Sequence, residues 1–270
     1  MRISIYTLAI LAAVVCSNGV NASDPVILAS TTSTENSGFL DHILPIFSKA
    51  TGIRVHVVVQ GSGQALETGR RGDADILLIH APEAERHFIE EGFGVKRFDV
   101  MHNDFVIVGP TDDPAHVQQT NDAPTGLGYI AAAEAPFLSR GDDSGTHIAE
   151  RRLWSLAAID PEGRWYREVG SGMGATLNAA AEISAYTITD RGTWLNFDNK
   201  RDLKILLEGD PELFNQYGLV LVSPIKHPHI NYAGAQAFSD WMMSTDGQSA
   251  IYSFEIDNQK PFHPSSSGNG

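Results

Sequence analysis

Hydroxyl and glycine residues are concentrated in four short segments of this 270-residue chain. They are residues 30–34, 61–64, 139–146 and 170–176, and each precedes a run with helical character. A helix leaves its first N–H groups without intrahelical partners, and Ser and Thr add O–H donors beside them. The four segments therefore carry the donors that a small oxyanion needs.

The first segment, Ser30–Thr34, consists of five successive hydroxyl residues after a β-prone run. A helix N-cap needs only one such side chain, so this segment predicts ligand binding. The second segment, Gly61–Gln64, has two glycines that let backbone N–H groups approach an anion, and Ser62 adds a hydroxyl. A flexible turn is the alternative interpretation of this second segment.

The third segment contains the one arginine of the four, Arg140, four residues before the Ser-Gly-Thr sequence that starts at Ser144. The guanidinium supplies a fixed charge and forked donors, and Ser144 and Thr146 add O–H and N–H groups. Asp142 or Asp143 could orient Arg140 or cap the helix. A capped helix with a surface Arg–Asp pair is the alternative interpretation.

The fourth segment, Gly170–Thr176, again has glycines before a helix, with the Thr176 hydroxyl at its predicted start. It does not follow the first strand, and no acidic residue is suitably spaced after it, so a dinucleotide site is excluded. If the four turns converge, N–H and O–H donors with few full charges would hold one oxyanion. An acidic protein can bind an anion in this way.

Composition narrows the function further. Lys and Arg number 19 against 33 Asp and Glu, a net charge of -14, which argues against nucleic-acid binding and against attachment to anionic lipid. The single cysteine, Cys16, excludes an intrachain disulfide. No hydrolase elbow, P-loop or His-Glu-x-x-His motif is present, so we predict neither an enzyme nor a cofactor. The ten histidines, His227 and His229 included, are interpreted as surface residues.

The N-terminus is typical of an export signal. Arg2 precedes a short apolar run, Ile3–Val15, and small residues lead to a cleavage point after Ala22. The run is too short for a membrane span, which needs about 20 residues. We therefore expect a periplasmic protein with no membrane insertion after the signal peptide, residues 1–22, is removed.

From Val26 onward, strand-like and helix-like runs alternate at α/β spacing. We expect two lobes with a cleft between them, residues 23–110 plus 220–263 and residues 111–219, with a linker at Pro110–Pro114 and a flexible tail at 264–270. Strands are predicted at Val26–Ser30, Arg54–Val59, Asp75–Ile79, Asp104–Gly109, Phe137–Ser139, Ala185–Ile188, Leu203–Leu207 and Leu219–Val222. Helices are predicted from Phe39, Gly61, Pro82, Ser144, Thr176, Asn231 and Asp246, the first of them kinked at Pro45.

The chain resembles the periplasmic tungstate-binding proteins of Tup-type ABC importers over most of its length from about Ile27. The segments that carry the resemblance are Thr31–Thr34 with Ser37-Gly38, Gly63–Leu66, Gly72–Asp75 running to Pro82, Asn103–Pro110, Ser139–His147, Gly172–Asn178 and Tyr186–Arg191. The resemblance implies a two-lobed type II periplasmic-binding-protein fold, each lobe a mixed, mostly parallel sheet flanked by helices. It also implies a solute receptor for tungstate, with molybdate next, whose partner is a membrane permease.

In that family the Thr-Thr-Ser turn and the arginine of the third segment bind the ligand. The resemblance therefore implies ligand contacts from Thr31, Thr32, Ser33, Arg140 and Thr146, and the pattern of related molybdate binders adds Ser62. Ser144 and Thr176 complete the candidate set because their hydroxyls lie at predicted helix starts. The family usually begins the first turn with a third threonine, where this chain has Ser30.

Two other functions stay open at the level of sequence. The pattern Arg140-x-Asp142-x-Ser144-Gly145-Thr146 also resembles that of phosphate-binding proteins, in which the carboxylate accepts the ligand's proton. Tungstate carries no proton near neutral pH, so Asp142 would then orient Arg140. A secreted hydrolase with Ser144 as nucleophile is a remote alternative, since no histidine or aspartate partner has a recognisable context.

Overall fold

The computed structural model describes residues 24–265, and its sheets and helices alternate as an α/β protein. The strands are β1 Val26–Thr31, β2 Val55–Gln60, β3 Ile76–Ile79, β4 Gly94–Pro110, β5 Phe137–Ser139, β6 Tyr166–Glu168, β7 Thr187–Asp190, β8 Leu203–Leu207, β9 Phe214–Val222 and β10 His263–Pro264. The helices are α1 Thr32–Asn36, α2 Phe39–Thr51, α3 Ser62–Arg71, α4 Pro82–Glu90, α5 Ala123–Ala132, α6 Gly145–Leu156, α7 Met173–Ile183, α8 Arg191–Leu195, α9 Tyr232–Met243 and α10 Thr245–Ser253. The predicted α/β class with a mixed sheet and flanking helices is confirmed.

Three parallel strands bring the first two hydroxyl segments to one edge of the sheet. Strand β1 pairs in parallel with both β2 and β3, so that Thr31 lies opposite Gln60 and Ser30 opposite Leu78. The residues that follow these three strands are therefore neighbours at the carboxyl edge, where ligands of α/β sheets bind. His80, directly after β3, lies at the same edge.

Strands β4 and β9 connect two groups of buried residues. The first part of β4, up to Asp104, pairs with β9, and the part from Phe105 pairs antiparallel with β7 and β8. The buried hydrophobic residues form four clusters. Two clusters consist of residues from 26–101 and 217–262, and the other two consist of residues from 105–213. We propose that the two lobes meet between Asp104 and Phe105 and again between Leu213 and Phe214.

Some element bounds differ from those expected. Strand β4 starts ten residues before the predicted Asp104 because Gly94–Asp104 pairs with β9. Helix α7 starts at Met173, before the predicted Thr176, since Gly172 has extended φ and ψ and acts as its N-cap. Pro45 lies inside α2, which runs on to Thr51.

The ends of the chain are described in part. Pro264, which the sequence places in a flexible tail, pairs with Met101 in β4, and the Ser265 N–H donates to the Val100 carbonyl at 3.3 Å. The predicted signal peptide and Cys16 lie outside the described residues. Within residues 24–265, no helix has the length and apolar character needed to cross a bilayer.

Candidate functional site

The first turn is closed by its own hydroxyl groups. Thr31 ends β1 and caps α1, and its Oγ1 accepts the Thr34 N–H at 3.3 Å. The same oxygen lies 3.0 Å from Ser33 Oγ and 2.8 Å from Thr34 Oγ1. Thr31, Ser33 and Thr34 are buried, whereas Thr32 is half-buried. The turn therefore holds three hydroxyls inward and presents Thr32 toward the second lobe.

Arg140 reaches the first turn from the other lobe. It follows β5 directly, its side chain is 2% exposed, and its Nη2 donates to Thr32 Oγ1 at 3.3 Å. Its backbone carbonyl accepts the N–H groups of Gly170 at 2.8 Å and Ser171 at 3.3 Å. One residue thus joins the first, third and fourth segments.

Asp142 holds the guanidinium in place. Its Oδ2 accepts from both Nε, at 3.2 Å, and Nη2 of Arg140, and its Oδ1 accepts the Ser144 N–H at 3.3 Å. Burial alone would raise the pKa of the Asp142 carboxyl, but the bonds from Ser144 and Arg140 and the Arg140 charge outweigh it and lower the pKa below its ordinary value. Asp142 is therefore an ionised partner that orients Arg140.

The third segment packs onto the first lobe through its glycine. Ser144 caps α6, its Oγ accepting the His147 N–H at 3.3 Å, and the helix starts at Gly145. A Cβ at Gly145 would lie 2.6 Å from His80 Cε1, which only a residue without a side chain permits. The close approach places Thr146 at the boundary between the lobes.

The fourth segment faces the first turn as well. Gly172 caps α7, and a Cβ at this position would lie 3.9 Å from Thr32 Oγ1. The Thr176 hydroxyl, however, donates within its own helix to the Gly172 carbonyl at 3.3 Å. The segment can offer its first backbone N–H groups to a ligand, whereas the Thr176 side chain is already occupied.

The second segment lies across a small cavity from Asp142. The cavity has a volume of about 410 Å³, and its walls include Gly61 and Gly63 from the first lobe and Asp142 and Asp143 from the second. Ser62 starts α3 at this point and is 1% exposed. The second segment therefore faces the third across this cavity, and the third contacts the first and fourth through Arg140.

Two buried hydroxyls, one in the second segment and one in the third, have no partner. Among the described residues, neither Ser62 Oγ nor Thr146 Oγ1 makes a hydrogen bond, although each residue is 1% exposed. An unpaired buried polar group costs about 1–3 kcal/mol, so each such group needs an explanation, and a bound ligand is one. Of the candidate site hydroxyls, Ser62 and Thr146 are therefore the two without a partner in the described residues.

The chain is similar to known proteins in sequence and in fold. The sequence matches the PBP superfamily domain over residues 17–246. It is 49% identical to the tungstate-binding protein TupA of Peptoclostridium acidaminophilum, over 85% of this chain and 81% of that protein. It is 35% identical to TupA of Campylobacter jejuni, over 85% of this chain and 87% of that protein. This chain belongs to the TupA family.

Solved structures of the TupA family share the fold. The tungstate ABC transporter protein of Geobacter sulfurreducens has a TM-score of 0.80 and 45% identity, with 86% of this chain and 99% of that chain covered. TupA of Desulfovibrio alaskensis G20 has a TM-score of 0.77 and 44% identity, with 90% and 100% covered. The type II periplasmic-binding-protein fold implied by the sequence is therefore confirmed.

Sequence reasoning missed a buried histidine behind the TupA-family turn. His80 is 4% exposed, its Nε2 lies 3.0 Å from Ser33 Oγ, and its Nδ1 lies 3.0 Å from Asn215 Oδ1. Burial lowers the pKa of His80 to about 4, aided by the Arg140 charge and opposed by the bond to Asn215. The prediction that the histidines are surface residues is wrong for His80 and for His147, which is 5% exposed. The position directly after β3 was the available signal.

A buried carboxylate in the second lobe was missed as well. Asp190 ends β7 and caps α8, where its Oδ2 accepts the Thr193 N–H at 3.0 Å and its Oδ1 accepts the Thr193 hydroxyl at 2.6 Å. Asn103 Nδ2 donates to Oδ2 at 3.3 Å. Burial raises the pKa of Asp190, against these bonds and the Arg140 charge. Its interaction with Arg140 places this carboxyl close to the candidate site.

Metal and nucleophile chemistry find no support in the described part of the chain. Within residues 24–265, no group of three or more His, Cys, Asp or Glu side chains could hold a metal ion. The Ser144 hydroxyl serves as a helix cap, and none of its hydrogen bonds in this range involves an imidazole. His147 Nδ1 is occupied by the Asp143 N–H at 3.0 Å. Within the described residues, the Ser144 hydroxyl therefore has no imidazole bonded to it that could act as its general base.

Proposed function

We propose that this chain is the periplasmic solute receptor of an ABC importer and that it binds tungstate, with molybdate as the next-best ligand. Its relatives are named tungstate-binding proteins and an ABC transporter protein for tungstate. The ligand would be held between the lobes without catalysis and then passed to a membrane permease. The lobes would rotate about β4 and β9, the two strands that connect them.

One observation carries the proposal: Arg140 contacts the first and fourth segments, and the second segment faces its partner Asp142. Backbone N–H groups at the helix starts, the guanidinium and the hydroxyls of Ser62, Thr146 and Thr32 could all donate to one small anion. Such a cage supplies many hydrogen-bond donors with one full positive charge. It fits a tetrahedral dianion that arrives without protons.

The role of Asp142 favours tungstate over phosphate. Both carboxyl oxygens of Asp142 accept hydrogen bonds within its own turn, from Arg140 and from Ser144. A phosphate receptor would use this carboxylate to accept the proton of the monoprotonated ligand. The observed contacts support an orienting role, which is compatible with an unprotonated oxyanion.

A titration with four anions tests the proposed function. We expect tungstate to raise the melting temperature of the wild-type protein most, molybdate next, and phosphate and sulfate little at equal concentration. Arg140→Ala should remove the tungstate shift. Arg201→Ala is the matched control, because Arg201 is half-exposed and pairs with Glu182 at the far end of α7. A larger shift with phosphate, or an undiminished tungstate shift in Arg140→Ala, would contradict the proposal.

A phosphonate reagent tests the remote hydrolase alternative. A serine-directed phosphonate should leave Ser144 unlabelled, because its hydroxyl caps α6 and is not bonded to an imidazole in the described residues. Covalent labelling of Ser144, detected by intact-protein mass spectrometry, would revive that alternative.

A further inference from the structure

A line of buried hydrogen bonds runs from the first turn to the second lobe. Ser33 contacts His80, His80 contacts Asn215, Asn215 donates to Asn103 at 2.7 Å, and Asn103 donates to Asp190. Each of the five residues is at most 4% exposed. These groups are almost wholly buried, so each must donate or accept according to its neighbours.

The direction of the line is set at its Asp190 end. Asp190 Oδ2 accepts the backbone N–H of Thr193, so this oxygen is an acceptor and the Asn103 group that faces it is the NH₂. The Asn103 oxygen then accepts from the NH₂ of Asn215. Asn215 is left with its oxygen toward His80 Nδ1, so Nδ1 must carry the hydrogen.

The His80 tautomer fixes the Ser33 hydroxyl. Burial and the Arg140 charge keep the pKa of His80 low, at about 4, so at neutral pH the ring carries one hydrogen. That hydrogen is on Nδ1, and Nε2 offers only a lone pair, 3.0 Å from Ser33 Oγ. Ser33 must donate its hydroxyl hydrogen to Nε2. Its oxygen is then an acceptor for Thr31 Oγ1, 3.0 Å away.

We propose that His80 is a positioning residue that draws the hydroxyl hydrogens of Ser33 and Thr31 away from the anion, so that Thr32 is the one hydroxyl donor that this turn gives to the ligand. This inference rests on the proposed anion-binding function and refines it. Thr32 Oγ1 accepts from Arg140 Nη2, so its own hydrogen points away from Arg140 and is free for an oxyanion. Thr31 and Ser33 serve the ligand through the turn's backbone shape alone.

Nitrogen NMR of the histidine rings tests the tautomer without any ligand. In protein labelled with ¹⁵N-histidine at pH 7, long-range ¹H–¹⁵N spectra should show His80 with a protonated Nδ1 and a bare Nε2, assigned by loss of the signals in His80→Asn. Adding tungstate should leave this pattern unchanged. A protonated Nε2, or a doubly protonated ring, would overturn the inference. Since the measurement needs no ligand, its failure is distinct from failure of the proposed function.

A matched pair of variants in the same turn tests the consequence for binding. By calorimetry, Thr32→Ala should weaken tungstate binding by about tenfold or more, while Ser33→Ala should stay within about threefold of wild type. Equal losses in the two variants would overturn the inference. Absence of tungstate binding in the wild-type protein would instead contradict the proposed function.

A double-mutant cycle separates positioning from mere structural support. His80→Asn keeps an NH₂ toward Asn215 but removes the acceptor for Ser33. In the His80→Asn protein the Ser33 hydroxyl is released. We therefore expect the fold-change in tungstate affinity caused by Ser33→Ala to differ by at least about threefold between the His80→Asn protein and wild type. Additive effects would show that His80 does not control the Ser33 hydroxyl.

Discussion

The guanidinium of Arg140 donates a hydrogen bond to the Thr32 hydroxyl at 3.3 Å, although 108 positions separate them in the chain. Thr32 precedes the proposed lobe boundary between Asp104 and Phe105 in β4, and Arg140 follows it. A second contact joins the same parts, since Asn196 Nδ2 donates to the Asn36 carbonyl at 2.8 Å. Both bonds join residues that we assign to different lobes, so the candidate ligand region spans the boundary between them.

Replacing Arg140 with lysine should impair binding nearly as much as removing it. Lysine keeps the charge but lacks the fork with which Arg140 holds Asp142 and reaches Thr32 together. We expect Arg140→Lys to weaken tungstate binding by about 10-fold to 100-fold, the range for losing a hydrogen bond to a charged group. Calorimetry checks this, with Arg201→Lys as control. Wild-type affinity in Arg140→Lys would mean that charge alone suffices.

Removing either unpartnered hydroxyl should cost affinity but not stability. Ser62→Ala and Thr146→Ala delete buried donors that lack partners in the described residues, so the ligand-free protein should unfold at the same urea concentration or higher. Tungstate binding should weaken by about fivefold or more in each. Ser239→Ala, which also deletes a buried unpartnered hydroxyl but in α9, is the control. Unchanged affinity in both site variants would place the ligand elsewhere.

Two glycine substitutions should have opposite effects on stability. A Cβ at Gly145 would lie 2.6 Å from His80 Cε1 and 3.0 Å from the His80 backbone oxygen, so the two segments must separate. We expect Gly145→Ala to lower the free energy of unfolding by about 1–3 kcal/mol. A Cβ at Gly63 meets nothing within 4 Å, and Gly63→Ala should be neutral or raise that free energy by up to about 1 kcal/mol. Urea denaturation of both variants measures this, and equal stabilities would contradict the close packing on His80.

Glu150 should make stability depend on pH near neutrality. It is 2% exposed, and burial raises the pKa of its carboxyl to about 7, against the bonds from Ser139, Tyr166 and Trp154. The folded state binds the proton more tightly than the unfolded state, so Glu150 makes stability fall as the pH rises from about 4.5 to about 7. Above pH 7 the raised pKa of Glu150 lowers the free energy of unfolding by at most about 3 kcal/mol.

The Glu150→Gln variant isolates that contribution. The amide side chain of this variant can still accept the bonds from Tyr166 and Trp154 but does not ionise, so the variant should be more stable than wild type at pH 8 and similar to it at pH 4.5. Urea denaturation at the two pH values measures this. Glu182→Gln, at a side chain that is 65% exposed, is the control. An equal difference at both pH values would mean that folding does not raise the pKa of Glu150.

The helix starts at the site were predictable because local chemistry determines them. Ser144 caps α6 through its own side chain, as the sequence indicated, and the glycines of the second and fourth segments lie at the starts of α3 and α7. The start of α7 was misplaced at Thr176 because a glycine cap has no side chain to mark it.

The use made of each hydroxyl could not be read from the sequence. Thr31, Ser33 and Thr176 resemble Ser62 and Thr146 in type and spacing, yet the first three have partners in the described structure and the last two do not. The partner of Ser33 is His80, 47 positions away, which in turn depends on Asn215, a further 135 positions away. Tertiary packing decides which donors are free, and no local pattern encodes it.

Anomalous X-ray scattering from tungsten in crystals grown with tungstate tests the central claim most directly. We expect one strong peak between the lobes, with ligand oxygens in hydrogen-bond reach of Arg140, Thr32, Ser62 and Thr146. A peak bounded by one lobe alone, or one remote from the Arg140 guanidinium, would contradict a shared anion cage.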